Sequence, residues 1–238
     1  MSGHSKWSTI KRKKAVIDSQ RGKAFTKIIK EISVAARVGG GDPAANPRLR
    51  TLLDKAKALN MPVENATRAI KKGTGELPGT HYEAYTYEGY GPHGIAIIVE
   101  TLSDNKNRTV AELRHLFSAK GGSLGETNSV NWMFERMGVV KATGATLTED
   151  ELLEKLLDYE INDIKNEDNF YSVYCSVKSL DQVKHAVEKV GLKVDSAEIE
   201  WVAKNTVPLS DEQSEKALEL LSALEDQDDV QNVYTNLA

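Results

Sequence analysis

The sequence has one cysteine, six prolines and no apolar stretch near the roughly 18 to 20 residues that a bilayer-spanning helix needs. A lone thiol, Cys175, cannot build a disulfide framework or a cysteine-rich zinc site, and its place in the alternation of Tyr171, Val173 and Val177 predicts an inert buried residue. With so little proline, 40% apolar and 28% charged residues, the composition is that of a globular protein rather than a disordered one. The first twenty residues are basic, but their apolar side chains are scattered, so the continuous apolar core of a secretory signal is missing. A cytoplasmic address without a membrane partner is expected. His4, His81, His93, His115 and His185 show none of the short pair spacings of metal sites. The acidic side chains of 149–154 and 211–219 fall on solvated faces of expected helices, and those of 225–229 in a turn before the last strand, which does not suggest carboxylates paired for acid–base work. No catalytic residue, metal, cofactor or small-molecule substrate is expected, and the chain reads as a non-enzyme.

Charge placement is the most informative feature present. The net charge is −4 overall, but residues 1–72 hold 17 Lys and Arg against 5 Asp and Glu, a net of +12. The remainder holds 14 basic and 30 acidic residues, a net of −16. Ordinary solvated faces mix both signs, so this asymmetry points to a polyanionic partner for the front of the chain. The acidic remainder serves as a solubilising surface, repels the polyanion so that only the basic part docks, or receives a basic protein partner.

At 238 residues the chain suggests two or three domains. Residues 1–20 lack periodicity and read as a basic arm. From Arg21 the pattern becomes helical, with Phe25, Ile28, Ile29, Ile32 and Ala36 on one stripe and Lys23, Lys27, Lys30 and Arg37 on another face. Glycines 39–41 stop that helix, Asn46-Pro47 starts a second, and Pro62 to Lys72 reads as a third with Arg68, Lys71 and Lys72 outward. After a glycine-rich linker at 73–80, strands are expected at 82–88 and 94–101, a helix capped by Ser103 or Asp104, and a short strand at 130–134. Residues 138–203 spell strand, helix, strand, strand, helix, strand, the order of a ferredoxin-like split βαβ unit. A final helix and strand have no partners of their own unless they return to the sheet of 82–135. The fold class expected is therefore multidomain α+β, an N-terminal three-helix domain followed by two ferredoxin-like α+β domains, one inserted in the other. The boundaries read 1–80, 81–135 plus 204–238, and 136–203 for the insert.

Several motifs in fixed order resemble the YebC/PmpR family: G-H-S-K-W (3–7), R-G-K-x-F-x-K (21–27), G-G-G-D-P-x-x-N-P-R-L (39–49), E-G-Y-G-P (88–92) and S-D-N-x-N-R-T-V-A-E-x-R (103–114). The likeness runs to about Phe134 and resumes at D-S-A-E (195–198). His93 stands where the family commonly has glycine, and Asn128 where a glycine usually precedes Ser-Val. The resemblance implies three domains and a DNA-binding transcriptional regulator. Other members, among them the mitochondrial translational activator of cytochrome oxidase subunit one, act on ribosomes, so RNA within the ribosome stays open as the partner.

Residues and resemblance together select a nucleic-acid interface of His4, Ser5, Lys6, Trp7, Lys11, Arg12, Lys13, Lys14, Arg21, Lys23, Lys27, Lys30 and Arg37. Trp7 is suited to stacking on an exposed base or to stapling the arm to the bundle. No helix-turn-helix is announced, because the 39–47 connection is too long and irregular. Gly89, Gly91 and Gly94 match G-x-G-x-x-G, but a strand rather than a helix follows, so a hairpin turn is expected. Asn105, Asn107 and Arg108, at a helix N-terminus, form a candidate second phosphate site, with plain capping as the alternative.

Overall fold

The computed structural model describes residues 21–144, 146–167 and 170–238. They form two compact units, residues 21–130 with 207–238 and residues 131–206.

In the first unit, α1 (Arg21–Gly39), α2 (Pro47–Ala58) and α3 (Val63–Gly73) pack as a three-helix segment. The apolar stripes meet in a core of Ile28, Ile32, Ala35, Leu49, Leu52, Ala56, Met61, Ala66 and Ala69. Asn46 ties two helices together. Its Oδ1 caps α2 by accepting from Leu49 N at 3.0 Å, while its Nδ2 donates to the carbonyls of Ala35 and Gly40, each at 2.9 Å. One buried amide thus satisfies carbonyls at the end of α1 and a donor at the start of α2, the groups a helix leaves unpaired. Gly73 lies so close to α1 that a Cβ there would collide with the Ser33 carbonyl.

The sheet of this unit has the order β3-β1-β2-β8, built from β1 (Glu83–Tyr90), β2 (Ala96–Ser103), β3 (Ser123–Leu124) and β8 (Val230–Thr235). The helices α4 (Lys106–Ala119) and α7 (Asp211–Glu225) supply Leu113, Phe117, Ala217, Leu220, Leu221 and Leu224 to a core with Ile95, Ile97, Val99 and Val233. The last helix and strand do return to this sheet, because β8 pairs with β2. The expected strand at 130–134 does not form. Val130 and Phe134 are both buried, but at the four-residue spacing of a helical turn, and Asn131–Met133 is a 3-10 turn. Phe134 instead opens β4 (Phe134–Thr143), one continuous strand of the second unit. The units therefore part at 130/131 and 206/207, not at the 135/136 and 203/204 that periodicity suggested.

The second unit adds α5 (Glu149–Lys155), β5 (Ile161–Glu167), β6 (Phe170–Cys175), α6 (Leu180–Lys189) and β7 (Lys193–Ala203). Its antiparallel sheet has the order β5-β6-β4-β7, which is the ferredoxin-like arrangement. Leu152, Leu156, Val183, Ala186 and Val187 pack against Val140, Ala142, Tyr171, Val173 and Cys175. Cys175 is buried, and that burial pushes its thiol pKa up.

Both departures from the family pattern are left-handed positions, His93 at φ 61° and Asn128 at φ 69°. Asn tolerates that region through its short polar side chain, and at Asn128 the conformation has a purpose. Glu88, 5% exposed on β1, accepts Asn128 N and Val130 N on its two carboxylate oxygens at 2.8 Å each, which holds the 125–130 loop against the sheet. The substitution Asn128→Gly should leave stability within about 0.5 kcal/mol of the wild type, whereas Asn128→Val should lower it by roughly 1 to 2 kcal/mol. Urea unfolding distinguishes the two; equal behaviour of both variants would show that the loop conformation is not under this constraint.

Candidate nucleic-acid interface

Lys23, Lys27 and Lys30 recur at four and three residues, so they share one face of α1. That face meets the C-terminal end of α7. Lys23 Nζ donates to the Asp226 carbonyl at 3.1 Å and lies 3.5 Å from its carboxylate. Lys27 Nζ donates to the Glu225 carbonyl at 2.9 Å, and Lys30 Nζ to the Asp228 carbonyl at 2.9 Å. The last carbonyls of a helix are unpaired and carry its partial negative charge, so they present cations with much of what a phosphate presents.

Lys30 reaches furthest inward, and it is 7% exposed. Its ammonium lies 2.8 Å from Asp229 Oδ1 and 5.3 Å from the centroid of the Tyr82 ring. Asp229, 2% exposed, also receives Ser103 Oγ at 3.0 Å, Arg108 at 2.8 Å and Thr109 Oγ1 at 2.8 Å, all on Oδ2. Burial alone would push this carboxyl pKa up, but the hydrogen bonds from Lys30, Arg108 and Thr109 outweigh it and hold the group well below the usual carboxylate range. One carboxylate thereby joins α1, the end of β2, the first turn of α4 and the turn before β8. Tyr87 feels it too: burial first, then the Asp229 charge, pushes the phenol pKa up.

Capping wins at the start of α4. Asn105, rather than Ser103 or Asp104, is the cap residue, and its Oδ1 accepts from Arg108 N at 3.1 Å. Ser103 Oγ instead accepts from Asn105 N at 3.0 Å while donating to Asp229. The Arg108 guanidinium lies between Asp104 at 2.9 Å and Asp229 at 2.8 Å, so its charge is already neutralised, and these carboxylates push its pKa up. Asn107 is exposed on the same turn. The three residues are adjacent, and Arg108, the one cation among them, is paired with two carboxylates.

Of Lys23, Lys27 and Lys30, expected to face phosphates, Lys30 is buried, Lys27 half-buried and Lys23 exposed, and all three donate to carbonyls at or just past the end of α7. Arg37 lies at the other end of α1 and donates to the Tyr82 carbonyl. His4, Ser5, Lys6, Trp7, Lys11, Arg12, Lys13 and Lys14 lie outside the described residues, as does the side chain of Arg21. Cations left on the surface of the three-helix segment are Arg48, Arg50, Lys57, Arg68, Lys71 and Lys72, all exposed, with no ion pair among the described residues. Asp229, the centre of this buried cluster, is not singled out by the sequence. Nothing in Gln-Asp-Asp-Val marks one of two adjacent aspartates as buried.

Comparisons with known proteins cover nearly the whole chain. Residues 5–76 match the family model described as the TACO1/YebC protein N-terminal domain, and residues 82–237 match the TACO1/YebC second and third domain. Among curated relatives, proteins from Chlorobaculum tepidum and Chloroherpeton thalassium are 54% and 52% identical over all of this chain and 95% of their own length. Each is named "Probable transcriptional regulatory protein". A crystal structure of a conserved hypothetical protein from Aquifex aeolicus is similar at a TM-score of 0.85 and 44% identity, over 94% of this chain and 93% of that one.

Asp229→Asn keeps the shape of the side chain but leaves the Lys30 ammonium buried without its counter-charge, so unfolding near pH 7 should cost about 3 to 5 kcal/mol less than in the wild type. Because the folded-state pKa of Asp229 is depressed, its contribution is fully present above the unfolded carboxylate value of about 3.9 and is lost as pH falls from there toward the folded value. Urea unfolding from about pH 7 down to about pH 3 should show the gap between the proteins shrinking as pH falls; a gap independent of pH would contradict the assignment.

Proposed function

Because the chain belongs to the TACO1/YebC family, we propose that it is a non-enzymatic regulator of gene expression that binds DNA through residues 1–20 and the exposed cations of the three-helix segment. The observation that carries this reading is the division of charge, +12 over residues 1–72 against −16 over the rest. Besides the lysines of α1 that reach the α7 terminus, the basic side chains of this part of the chain include those of the arm, from Lys6 to Lys14, and the exposed Arg48, Arg50, Lys57, Arg68, Lys71 and Lys72. These are suited to phosphates, whose neutralisation releases counterions and needs no particular base sequence. The acidic remainder repels the same polymer, so the molecule docks by its front end. A transcriptional role follows the printed names of the curated relatives. Among the described residues no group of three or more His, Cys, Asp or Glu side chains is placed to hold a metal.

The test compares the wild type with the variant K11Q/R12Q/K13Q/K14Q by fluorescence anisotropy on a DNA duplex and on a structured RNA, between about 50 and 200 mM salt. Circular dichroism of the variant checks that its fold persists. Each lost phosphate contact should lower the slope of log affinity against log salt by about 0.9 on duplex DNA, or by roughly 3 to 4 for the set. An unchanged slope would remove the basis for the reading, and tighter binding to the RNA would move the function from transcription to translation.

A further inference from the structure

The second unit carries a surface that the charge division does not explain. Strand β4 pairs with β7 from Phe134↔Ala203 to Thr143↔Lys193, but β6 joins β4 only from Gly138↔Cys175 onward. Residues 134–137 and 200–203 therefore run on past the rest of the sheet as a two-stranded ribbon. Alternation sorts its side chains by chemistry. Arg136 pairs with Trp201 on one face, whereas Glu135 opposite Val202 and Glu200 opposite Met137 belong to the other. On the first face the Arg136 guanidinium is 5.3 Å from the Trp201 ring centroid, Arg136 is exposed, and Ile199 is 38% exposed two residues along the same strand. Glu200 is held elsewhere, 2.6 Å from Lys141 Nζ. In the turn that enters β4, Trp132 is 63% exposed. Lys204, just past the end of β7 and exposed, donates its Nζ to the Trp132 carbonyl at 3.0 Å and its backbone N to the Met133 carbonyl at 2.9 Å. These bonds hold the Trp132 turn and a lysine side by side at the end of the ribbon.

Two indoles with two cations beside them, and the acidic side chains turned to the opposite face, suit a ligand with flat apolar faces and a negative backbone. Unpaired nucleotides have both. A duplex hides its base faces in the stack and offers only the second. We propose that the Trp132 end of the β4–β7 ribbon is a stacking site for single-stranded nucleic acid, with Trp132 against a base and Arg136 and Lys204 toward the flanking phosphates. The inference rests on the reading of the protein as a nucleic-acid binder and adds a second contact, on the inserted unit, that selects unpaired over paired segments. A strand that melts near a bound duplex or an RNA loop would meet this description.

The experiment uses the full-length chain and two probes, an oligouridine of about 20 nucleotides and a DNA duplex of similar length. Trp132→Ala should weaken binding to the oligouridine about tenfold, as expected for one lost base stack, and leave duplex binding within about twofold. Trp132→Phe should restore most of the loss, because a smaller ring still stacks. In the variant W7F/W201F, where Trp132 is the sole reporter, its fluorescence should be quenched on adding the oligouridine. Wild-type affinity of Trp132→Ala for the single strand, or an unquenched Trp132, would overturn the stacking site. If K11Q/R12Q/K13Q/K14Q loses both probes while Trp132→Ala matches the wild type, the stacking site falls and the nucleic-acid reading stands. If that variant instead binds both probes as the wild type does, the arm reading falls and the Trp132→Ala comparison alone decides the stacking site.

Discussion

A lysine and an aspartate buried together, Lys30 and Asp229, are the constraint on which the first unit depends. Neither charge is tolerated alone in a dry environment, so the helix that carries one and the turn that carries the other must stay in register. Asp229 then uses its second oxygen to gather Ser103, Arg108 and Thr109, and the position of α1 is coupled to the sheet and its covering helices. Lys23 and Lys27 extend the same attachment over the end of α7, where the terminal carbonyls substitute for an anion. The consequence for function is a matter of charge conservation. Lys30, buried against its counter-charge, is not available to an external partner, so on the reading proposed above a polyanion is met by the arm and the outer faces of α2 and α3, and, where it is single-stranded, by the Trp132 end of the β4–β7 ribbon.

A second buried carboxylate works in the same way at smaller scale. Glu88 accepts two backbone N–H groups from the 125–130 loop, and the left-handed backbone at Asn128 is what aims the first of them. Such buried acids are retained because each of their oxygens is matched to donors, and the matching, rather than the charge itself, specifies the loop path.

Much of the architecture was legible in the sequence because it rests on local periodicity. The stripe of Ile28 and Ile32, the Asn46-Pro47 start and the six-element order of the second unit are each set by spacing or by cap chemistry, and the return of the last helix and strand followed from their having no partners of their own. What could not be read depends on pairs far apart in the chain. Lys30 and Asp229 are 199 residues apart, and a lysine stripe looks the same whether it faces phosphates or the end of another helix. The continuity of β4 through Phe134 was hidden because the turn before it buries Val130 and Phe134 at four-residue spacing and so blurs the strand's own alternation. Trp132 and Trp201 are brought to one ribbon end by the β4–β7 register together with the bonds of Lys204 to the Trp132 turn.

Lysine reactivity measures the division of labour among these cations most directly. Acetylation footprinting of the full chain, free and bound to nucleic acid, should find Lys30 unreactive in both states, and Lys6, Lys11, Lys13, Lys14, Lys71 and Lys72 reactive when free and protected when bound. A Lys30 that reacts readily in the free protein and is shielded only in the complex would show that α1 faces the nucleic acid after all, and would contradict the account.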